Sequence, residues 1–167
     1  MRSHHLKPQH WVVVVHDFEG EVRRKILAAK YRNERRYLRE FAQDIALHLQ
    51  DHEVTPQTVV TWAPTSDERR RSRGVDQSEI LARHVAAFLH LPTKQLLRKV
   101  TQNTQTGAPR AQRLVQVKFI AKVPRHVRAV IVIDDVVTTG ATMKAAVVAL
   151  QSAGVRDVLC VAIAATR

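Results

Sequence analysis

The sequence has few cysteine, glycine and aromatic residues, and the scarcity of each excludes a class of protein or of binding site. Its single cysteine, Cys160, cannot build a disulfide framework or a four-cysteine zinc site. That cysteine lies within the apolar run VLCVAIAA, which predicts a core residue. The five glycines are spaced too widely to form GxGxxG, and no GxxxxGK[ST] occurs. Aromatic residues make up only 5% of the chain, so stacking platforms for single-stranded nucleic acid are not evident.

Long apolar segments are also missing. No apolar run approaches the roughly 20 residues of a membrane span, and the longest early one is Trp11 to Val15. The polar N-terminus, MRSHHLKPQH, lacks the hydrophobic segment of a signal peptide. We therefore expect a cytoplasmic protein with no membrane span. Its 167 residues, 45% of them apolar, suit one compact domain over residues 1–167.

Acidic residues are scarce relative to basic ones. Lysine and arginine number 27 against 15 acidic residues, which gives a net charge of +12. Such a surface favours polyanions, either a phosphorylated small molecule or nucleic acid such as single-stranded or double-stranded DNA. The basic clusters are Arg23–Lys25, Arg32–Arg39 and Arg69–Arg73. Solvated helix faces are the alternative, and we favour that interpretation for Arg32–Arg39; net charge alone does not separate the options.

Strand and helix patterns alternate along the chain. Strands are predicted at Trp11–Val15, Thr58–Trp62, Gln95–Arg98, Ala129–Ile133 and Val158–Ala164, and helices at Gly20–Lys30, Glu34–Gln50, from near Asp76, and between Thr142 and Gly154. The last two strands are almost wholly apolar, as a parallel sheet covered on both faces requires. This order predicts a doubly wound α/β fold with a mainly parallel sheet flanked by helices.

Apolar spacing predicts which face each helix buries. The three predicted faces are Leu38, Phe41, Ala42, Ile45 and Leu49; Ile80, His84, Ala87 and Leu91; and Met143, Ala146, Val147 and Leu150. Asp76, three residues before Glu79, is expected to cap its helix. Trp62 is expected in the core, and the strand Trp11–Val15 is expected to be buried.

The stretch AVIVIDDVVTTGATMKAAVVAL, residues 129–150, carries the strongest functional pattern. Asp134 and Asp135 follow an apolar strand, and ligands of open α/β sheets bind beyond the carboxyl ends of strands. Thr138–Thr142 leads into a helix, whose N-terminus suits a phosphate. Two acids would repel that phosphate unless they accept hydrogen bonds from hydroxyls, or face a cation, on the same ligand. A sugar phosphate with a vicinal diol satisfies both conditions; a simple capped turn is the alternative.

The segment VIVIDDVVTTGATM resembles the phosphoribosyl-pyrophosphate (PRPP) signature of type I phosphoribosyltransferases. Most of the chain resembles the ComF competence-protein family, through HDFEGEVRRKILAAKYRNERR, WAP followed by RRRSRGVDQSEILA, and TQNTQ before Arg113. This resemblance implies the type I fold, with Asp134 and Asp135 as catalytic residues that contact the ribose hydroxyls. It also implies a 5′-phosphate loop formed by Val136, Val137, Thr138, Thr139, Gly140, Ala141 and Thr142.

The resemblance assigns the remaining contacts to three other segments. Ala63, Pro64 and Thr65 would face the pyrophosphate with Mg²⁺, for which no direct protein ligand is expected. Lys30, Arg69 and Arg73 are candidates for further phosphate contacts. For Lys30 the alternative is a partner of its helix dipole, and for the arginines a solvated charge run. Residues 101–113 would form a flexible hood loop that includes Gln105 and Arg113.

The implied reaction transfers the phosphoribosyl group of PRPP to a nitrogen acceptor and releases pyrophosphate. Two other functions stay open: a ComF-type accessory of DNA uptake or nucleic-acid handling with little or no transferase activity, and a PRPP-sensing regulator. Dimerisation is common in the resembled family, so a homodimer is expected without support from particular residues.

The chain departs from the ComF pattern in three places. The N-terminal four-cysteine zinc module of many relatives is not found here. The motif RGFNQ becomes Arg73-Gly74-Val75-Asp76-Gln77, and an asparagine is replaced by Gln116. We expect these changes to lie in the regions least tied to ribose phosphate.

Overall fold

The computed structural model describes residues 11–50, 52, 55, 57–65, 76–100 and 117–166, without the side chain of Trp11. Those residues form six strands: β1 (Trp11–Asp17), β2 (Thr58–Trp62), β3 (Leu97–Val100), β4 (Lys118–Ala121), β5 (Ala129–Val137) and β6 (Asp157–Ala165). They also form four helices: α1 (Gly20–Arg32), α2 (Arg36–His48), α3 (Gln77–Leu89) and α4 (Ala141–Ser152). The basic cluster Arg69–Arg73 and the predicted loop at 101–113 lie outside the described residues.

A parallel sheet forms the centre of the fold, as predicted, and its strand order is β1-β6-β5-β2. β3 and β4 form a separate antiparallel pair. We did not predict β4, whose four residues are too few to show a clear pattern. The predicted strand at Gln95–Arg98 begins two residues late, at Leu97, because the Leu96 N–H donates to the Thr61 hydroxyl at 3.1 Å rather than to a strand.

Apolar side chains pack on both faces of the sheet. One core cluster joins α1, α2 and α3 to residues such as Ile133 and Ile163, and the other joins α4 to Val132 and Cys160. Because successive residues of a strand point to opposite faces, β5 and β6 must be apolar at consecutive positions. The structure therefore confirms the predicted α/β fold, with helices on both sides of a parallel sheet.

Most of the predicted core is confirmed. The predicted faces of α2 and α4 are buried, as are Trp62 at 4% exposure and Cys160 at 0%. Burial raises the pKa of the Cys160 thiol to about 12. Within the described residues, no helix has both the length and the apolar character needed to cross a membrane.

Two burial predictions are wrong. The interior of β1 is only half-buried, because β1 lies at the edge of the sheet. In α3 the buried residues are Leu81, Ala82, Val85 and Ala86, not the predicted face, and Ala87 of that face is exposed. The buried face of α3 is therefore rotated about the helix axis relative to the predicted face. The first turn explains the rotation, because Gln77 and Ser78 are buried and residues four and eight positions further along a helix lie on the same side.

Candidate functional site

The two acids lie where β5 extends beyond the end of its neighbour β2. The last β2–β5 pair is Trp62 with Ile133, and the Ala63 N–H donates to the Ile133 carbonyl at 3.0 Å. On its other side, β5 stays paired with β6 as far as Val137. The prediction that the strand ends at Ile133 is therefore wrong, because β6 holds β5 extended through both acids. The carboxylates nevertheless lie just beyond the carboxyl end of β2.

Asp135 forms an ion pair with Lys30 of α1. Lys30 Nζ lies 2.8 Å from Asp135 Oδ2, and the two side chains are only 18% and 16% exposed. The structure thus brings together two residues that are 105 positions apart in the sequence. A pair this well shielded from water is screened less by salt than an exposed one.

Asp134 accepts hydrogen bonds from two different segments. The Ser78 hydroxyl donates to Asp134 Oδ1 at 3.1 Å, and the Asp135 N–H donates to the same oxygen at 2.9 Å. Burial, followed by the charge of Asp135, raises the pKa of Asp134 to about 7, whereas the two hydrogen bonds and the charge of Lys30 lower it. Near neutral pH, therefore, this carboxyl group exchanges readily between its protonated and ionised forms.

The turn after β5 leads directly into α4. Thr138 and Thr139 are exposed, and the Thr139 hydroxyl accepts from the Ala141 N–H at 3.4 Å. Gly140 caps the helix with a φ of +72°, in the left-handed region that favours glycine. A Cβ at this position would meet nothing within 4 Å, so in the ligand-free protein the glycine is required for its backbone conformation rather than for space.

The turn after β2 is tied to the start of α3. Ala63 and Pro64 are buried, Thr65 is half-buried, and the Thr65 N–H donates to Asp76 Oδ2 at 2.9 Å. The other carboxylate oxygen, Asp76 Oδ1, accepts from the Ser78 N–H at 3.1 Å, which confirms Asp76 as the predicted helix cap. Burial is the main cause of the raised pKa of Asp76. Ser78 and Thr65 are thus joined through one side chain.

Ser78 was not predicted as a site residue, and the place of its neighbour Asp76 was misjudged. The change at Asp76 was expected to lie in a region least tied to ribose phosphate, yet Asp76 lies only two residues before Ser78, whose hydroxyl binds Asp134. A possible signal was available: the motif that contains Asp76 and Gln77 directly precedes Ser78 in the sequence. Arg69, Arg73, Gln105, Arg113 and Gln116 lie outside the described residues.

The described acids, histidines and cysteine do not form a metal site by themselves. Within the described ranges, no group of three or more such side chains is placed to hold a metal ion. The site instead combines two carboxylates, an ammonium group, a serine hydroxyl and the N-terminus of α4. This arrangement offers hydrogen-bond acceptors at one end and a positive helix terminus at the other.

Comparison with solved structures gives matches of low sequence identity. A hypothetical protein from Neisseria gonorrhoeae with bound ppGpp is 17% identical, with a TM-score of 0.48, over 75% of this chain and 65% of that one. An adenine phosphoribosyl transferase from Trypanosoma brucei, in complex with AMP, pyrophosphate and ribose-5-phosphate, is 12% identical, with a TM-score of 0.47, over 83% and 68%. A purine phosphoribosyltransferase from Pyrococcus horikoshii Ot3 is 15% identical, with a TM-score of 0.39, over 92% and 87%.

The present chain thus spans just under two thirds of the length of the first of these structures. No curated protein matches the sequence. The model of the phosphoribosyl transferase domain family, in contrast, matches residues 73–167, which is more than half of the chain and includes both acids and the turn into α4. This chain belongs to the phosphoribosyl transferase domain family.

Proposed function

We propose that this protein binds PRPP together with Mg²⁺ and transfers the phosphoribosyl group to a nitrogen acceptor, with release of pyrophosphate. The observation that carries the proposal is the meeting of Asp134 and Asp135 with Lys30 and the N-terminus of α4. Both acids and the helix terminus lie inside the segment matched by the family, and Lys30 reaches them from α1, outside that segment. One ligand that presents a diol, a 5′-phosphate and a diphosphate has a group for each of these features.

Each part of the ligand has a proposed contact. Asp134 and Asp135 accept hydrogen bonds from the ribose hydroxyls, and residues 136–142 hold the 5′-phosphate with the free N–H groups of the first turn of α4. Ala63, Pro64 and Thr65 face the diphosphate, and Lys30 contributes positive charge. The 2.8 Å contact of Lys30 with Asp135 supports a shared role, because the ammonium group lies next to the acids.

In the proposed reaction the nitrogen lone pair forms a bond to C1 of the ribose. The bond from C1 to the pyrophosphate oxygen breaks, its electron pair leaves with pyrophosphate, and positive charge builds on the sugar ring. The site acts mainly by positioning and by electrostatic stabilisation of that charge. The proton lost by the nitrogen passes to one of the two carboxylates of the site, Asp134 or Asp135.

Magnesium is proposed to bind chiefly through the oxygens of the substrate, since Mg²⁺ commonly combines substrate phosphates and water with few protein ligands. The carboxylates and hydroxyls of the site are donors of the type that this ion prefers. When bound, the ion would neutralise charge on the departing pyrophosphate.

Calorimetry tests the binding proposal. PRPP is titrated with and without Mg²⁺ into wild type, Asp134→Asn and Asp135→Asn, with Asp157→Asn as the matched control. Asp157 is exposed at the start of β6, the opposite end of the sheet from the site. We expect Mg²⁺-dependent binding in wild type and control and weaker binding in both site variants. Equal affinity in all four proteins, or none in wild type, contradicts the proposal.

Product analysis separates transfer from binding alone. PRPP and Mg²⁺ are incubated with a panel of bases and amines, and the pyrophosphate and phosphoribosylated products are quantified. A product formed by wild type but not by Asp134→Asn supports transferase activity. Tight PRPP binding without any product would instead favour a PRPP-sensing role, or the ComF-type accessory role with little transferase activity.

The net charge of +12 favours nucleic-acid binding as a second candidate function. Several basic side chains on the described helices already contact acids, including Lys25 with Glu21 and Glu40, and Arg83 with Glu79. Binding is therefore expected to be weak and independent of base sequence. Fluorescence anisotropy with labelled DNA should show affinity that falls steeply as salt rises, whereas affinity that is independent of salt would exclude this function.

A further inference from the structure

The first turn of α3 places three polar residues in succession in the protein interior. Asp76, Gln77 and Ser78 are only 6%, 7% and 6% exposed, and they are three of the five buried polar or charged residues in the described part of the chain. Burying a polar side chain is unfavourable unless hydrogen bonds replace its contacts with water. Such a run therefore requires specific partners.

Each of the three side chains contacts a different part of the candidate site. Asp76 accepts from the backbone of Thr65, in the turn after β2, at 2.9 Å. Gln77 Nε2 donates to the carbonyl of Ala29, the residue before Lys30, at 3.5 Å. Ser78 donates its hydroxyl to Asp134 at 3.1 Å. The start of α3 thus connects the turn, the lysine segment and the first carboxylate.

Capping of the helix does not account for Ser78. Asp76 already serves as the cap, through its bond with the Ser78 N–H, and this bond uses the backbone rather than the hydroxyl. The hydroxyl is directed instead to Asp134, which lies 56 positions away in the sequence. Together with the Asp135 N–H, it provides two donors to Oδ1, and these fix the plane of the carboxyl group.

We propose that Ser78 is a positioning residue that orients the Asp134 carboxyl group toward the ligand, and that Asp76 and Gln77 hold Ser78 in place. The proposal rests on the proposed function in one respect, namely that Asp134 contacts the ribose. Ser78 itself does not touch the substrate. It holds Oδ1, so that the second oxygen, Oδ2, is presented to a ribose hydroxyl.

The test compares wild type with Ser78→Ala, Ser78→Thr and a matched control, Ser152→Ala, at the exposed end of α4. PRPP affinity is measured by calorimetry with Mg²⁺, and titration of the Asp134 carboxyl group is followed by ¹³C NMR without ligand. Ser78→Ala should weaken binding by about three- to tenfold, the range expected for one hydrogen bond. It should also move the Asp134 titration to higher pH, because a donor to the ionised form is lost.

Ser78→Thr keeps the hydroxyl and should restore both values toward wild type, while Ser152→Ala should change neither. Wild-type affinity together with wild-type titration in Ser78→Ala overturns the proposal. A folded Ser78→Thr that behaves like Ser78→Ala also overturns it, since the hydroxyl would then not be the cause. Melting curves establish that each variant is folded, and Ser78→Cys, a weaker donor of similar size, replaces Ser78→Ala if that variant does not fold.

The two readouts also separate this proposal from the proposed function. If wild type does not bind PRPP, the proposed function fails, but the NMR titration still shows whether Ser78 acts on Asp134. If wild type binds PRPP and Ser78→Ala changes neither readout, only the positioning role fails.

Discussion

Replacing Asp134 with asparagine should stabilise the ligand-free protein while it weakens PRPP binding. The change is nearly isosteric and keeps an oxygen at Oδ1, so the bonds from Ser78 and from the Asp135 N–H can both persist. It removes a negative charge that is buried next to Asp135. A site residue that opposes folding is expected where function requires a charge in an unfavourable position.

The magnitude follows from the pKa of Asp134. A rise from 3.8 to about 7 corresponds to about 4 kcal/mol of lost stability above pH 7, at about 1.4 kcal/mol per pKa unit. Because Asp134 keeps partial access to water, we expect about 2 to 4 kcal/mol. For a chain of this size, that gain raises the melting temperature by about 5 to 15 °C.

The direction of the pH dependence follows from proton uptake. An acid whose pKa is higher in the folded state than in the unfolded state binds more protons on folding, so its contribution to stability falls as pH rises from about 4 to about 7. Asp134→Asn removes this fall. The gain over wild type should therefore be largest at a pH of about 8.5 and much smaller at about 4.5.

Thermal denaturation followed by circular dichroism checks this expectation. Wild type, Asp134→Asn and the exposed control Asp157→Asn are melted at both pH values. A lower melting temperature for Asp134→Asn at the higher pH would refute the reasoning. An equal gain at both pH values would also refute it, because the benefit would then not depend on ionisation.

Three further outcomes are expected. In urea titrations, Lys30→Met should destabilise the protein by about 3 kcal/mol, because Asp135 is left shielded from water without its partner. Lys122→Met, a matched change at an exposed lysine, should have little effect in those titrations. Gly140→Ala should cost about 1 to 2 kcal/mol through its φ of +72° and weaken PRPP binding in calorimetry; a neutral effect on stability would mean that the turn relaxes. Cys160, with its thiol pKa raised to about 12, should react with a thiol reagent only in denaturant, and rapid labelling of the native protein would contradict its burial.

The sequence predicted those parts of the fold that depend on local pattern. The apolar runs of β5 and β6 indicated a parallel sheet, and the spacing of Met143, Ala146, Val147 and Leu150 gave the buried face of α4. The acid pair and the turn at Gly140 were also visible, because they are contiguous in the chain.

The remaining features depend on contacts between distant segments, which a single sequence does not display. The bond from Ser78 to Asp134 joins α3 to β5, and although Ser78 directly follows the motif that contains Asp76 and Gln77, the sequence does not show that its partner is Asp134. The unexpected buried face of α3 has the same origin. The polar residues at the start of this helix can be buried because residues from distant segments form hydrogen bonds with them. The end of β5 was misjudged because β6, rather than the sequence of β5 itself, keeps that strand extended.

β5 is longer than β2 at the end where the acids lie, and this difference determines which strand holds the backbone of the acids. β5 extends four residues beyond its last β2 pair, or about 13 Å at roughly 3.3 Å per residue. The pairing of β5 with β6, rather than with β2, therefore holds the backbone of both acids.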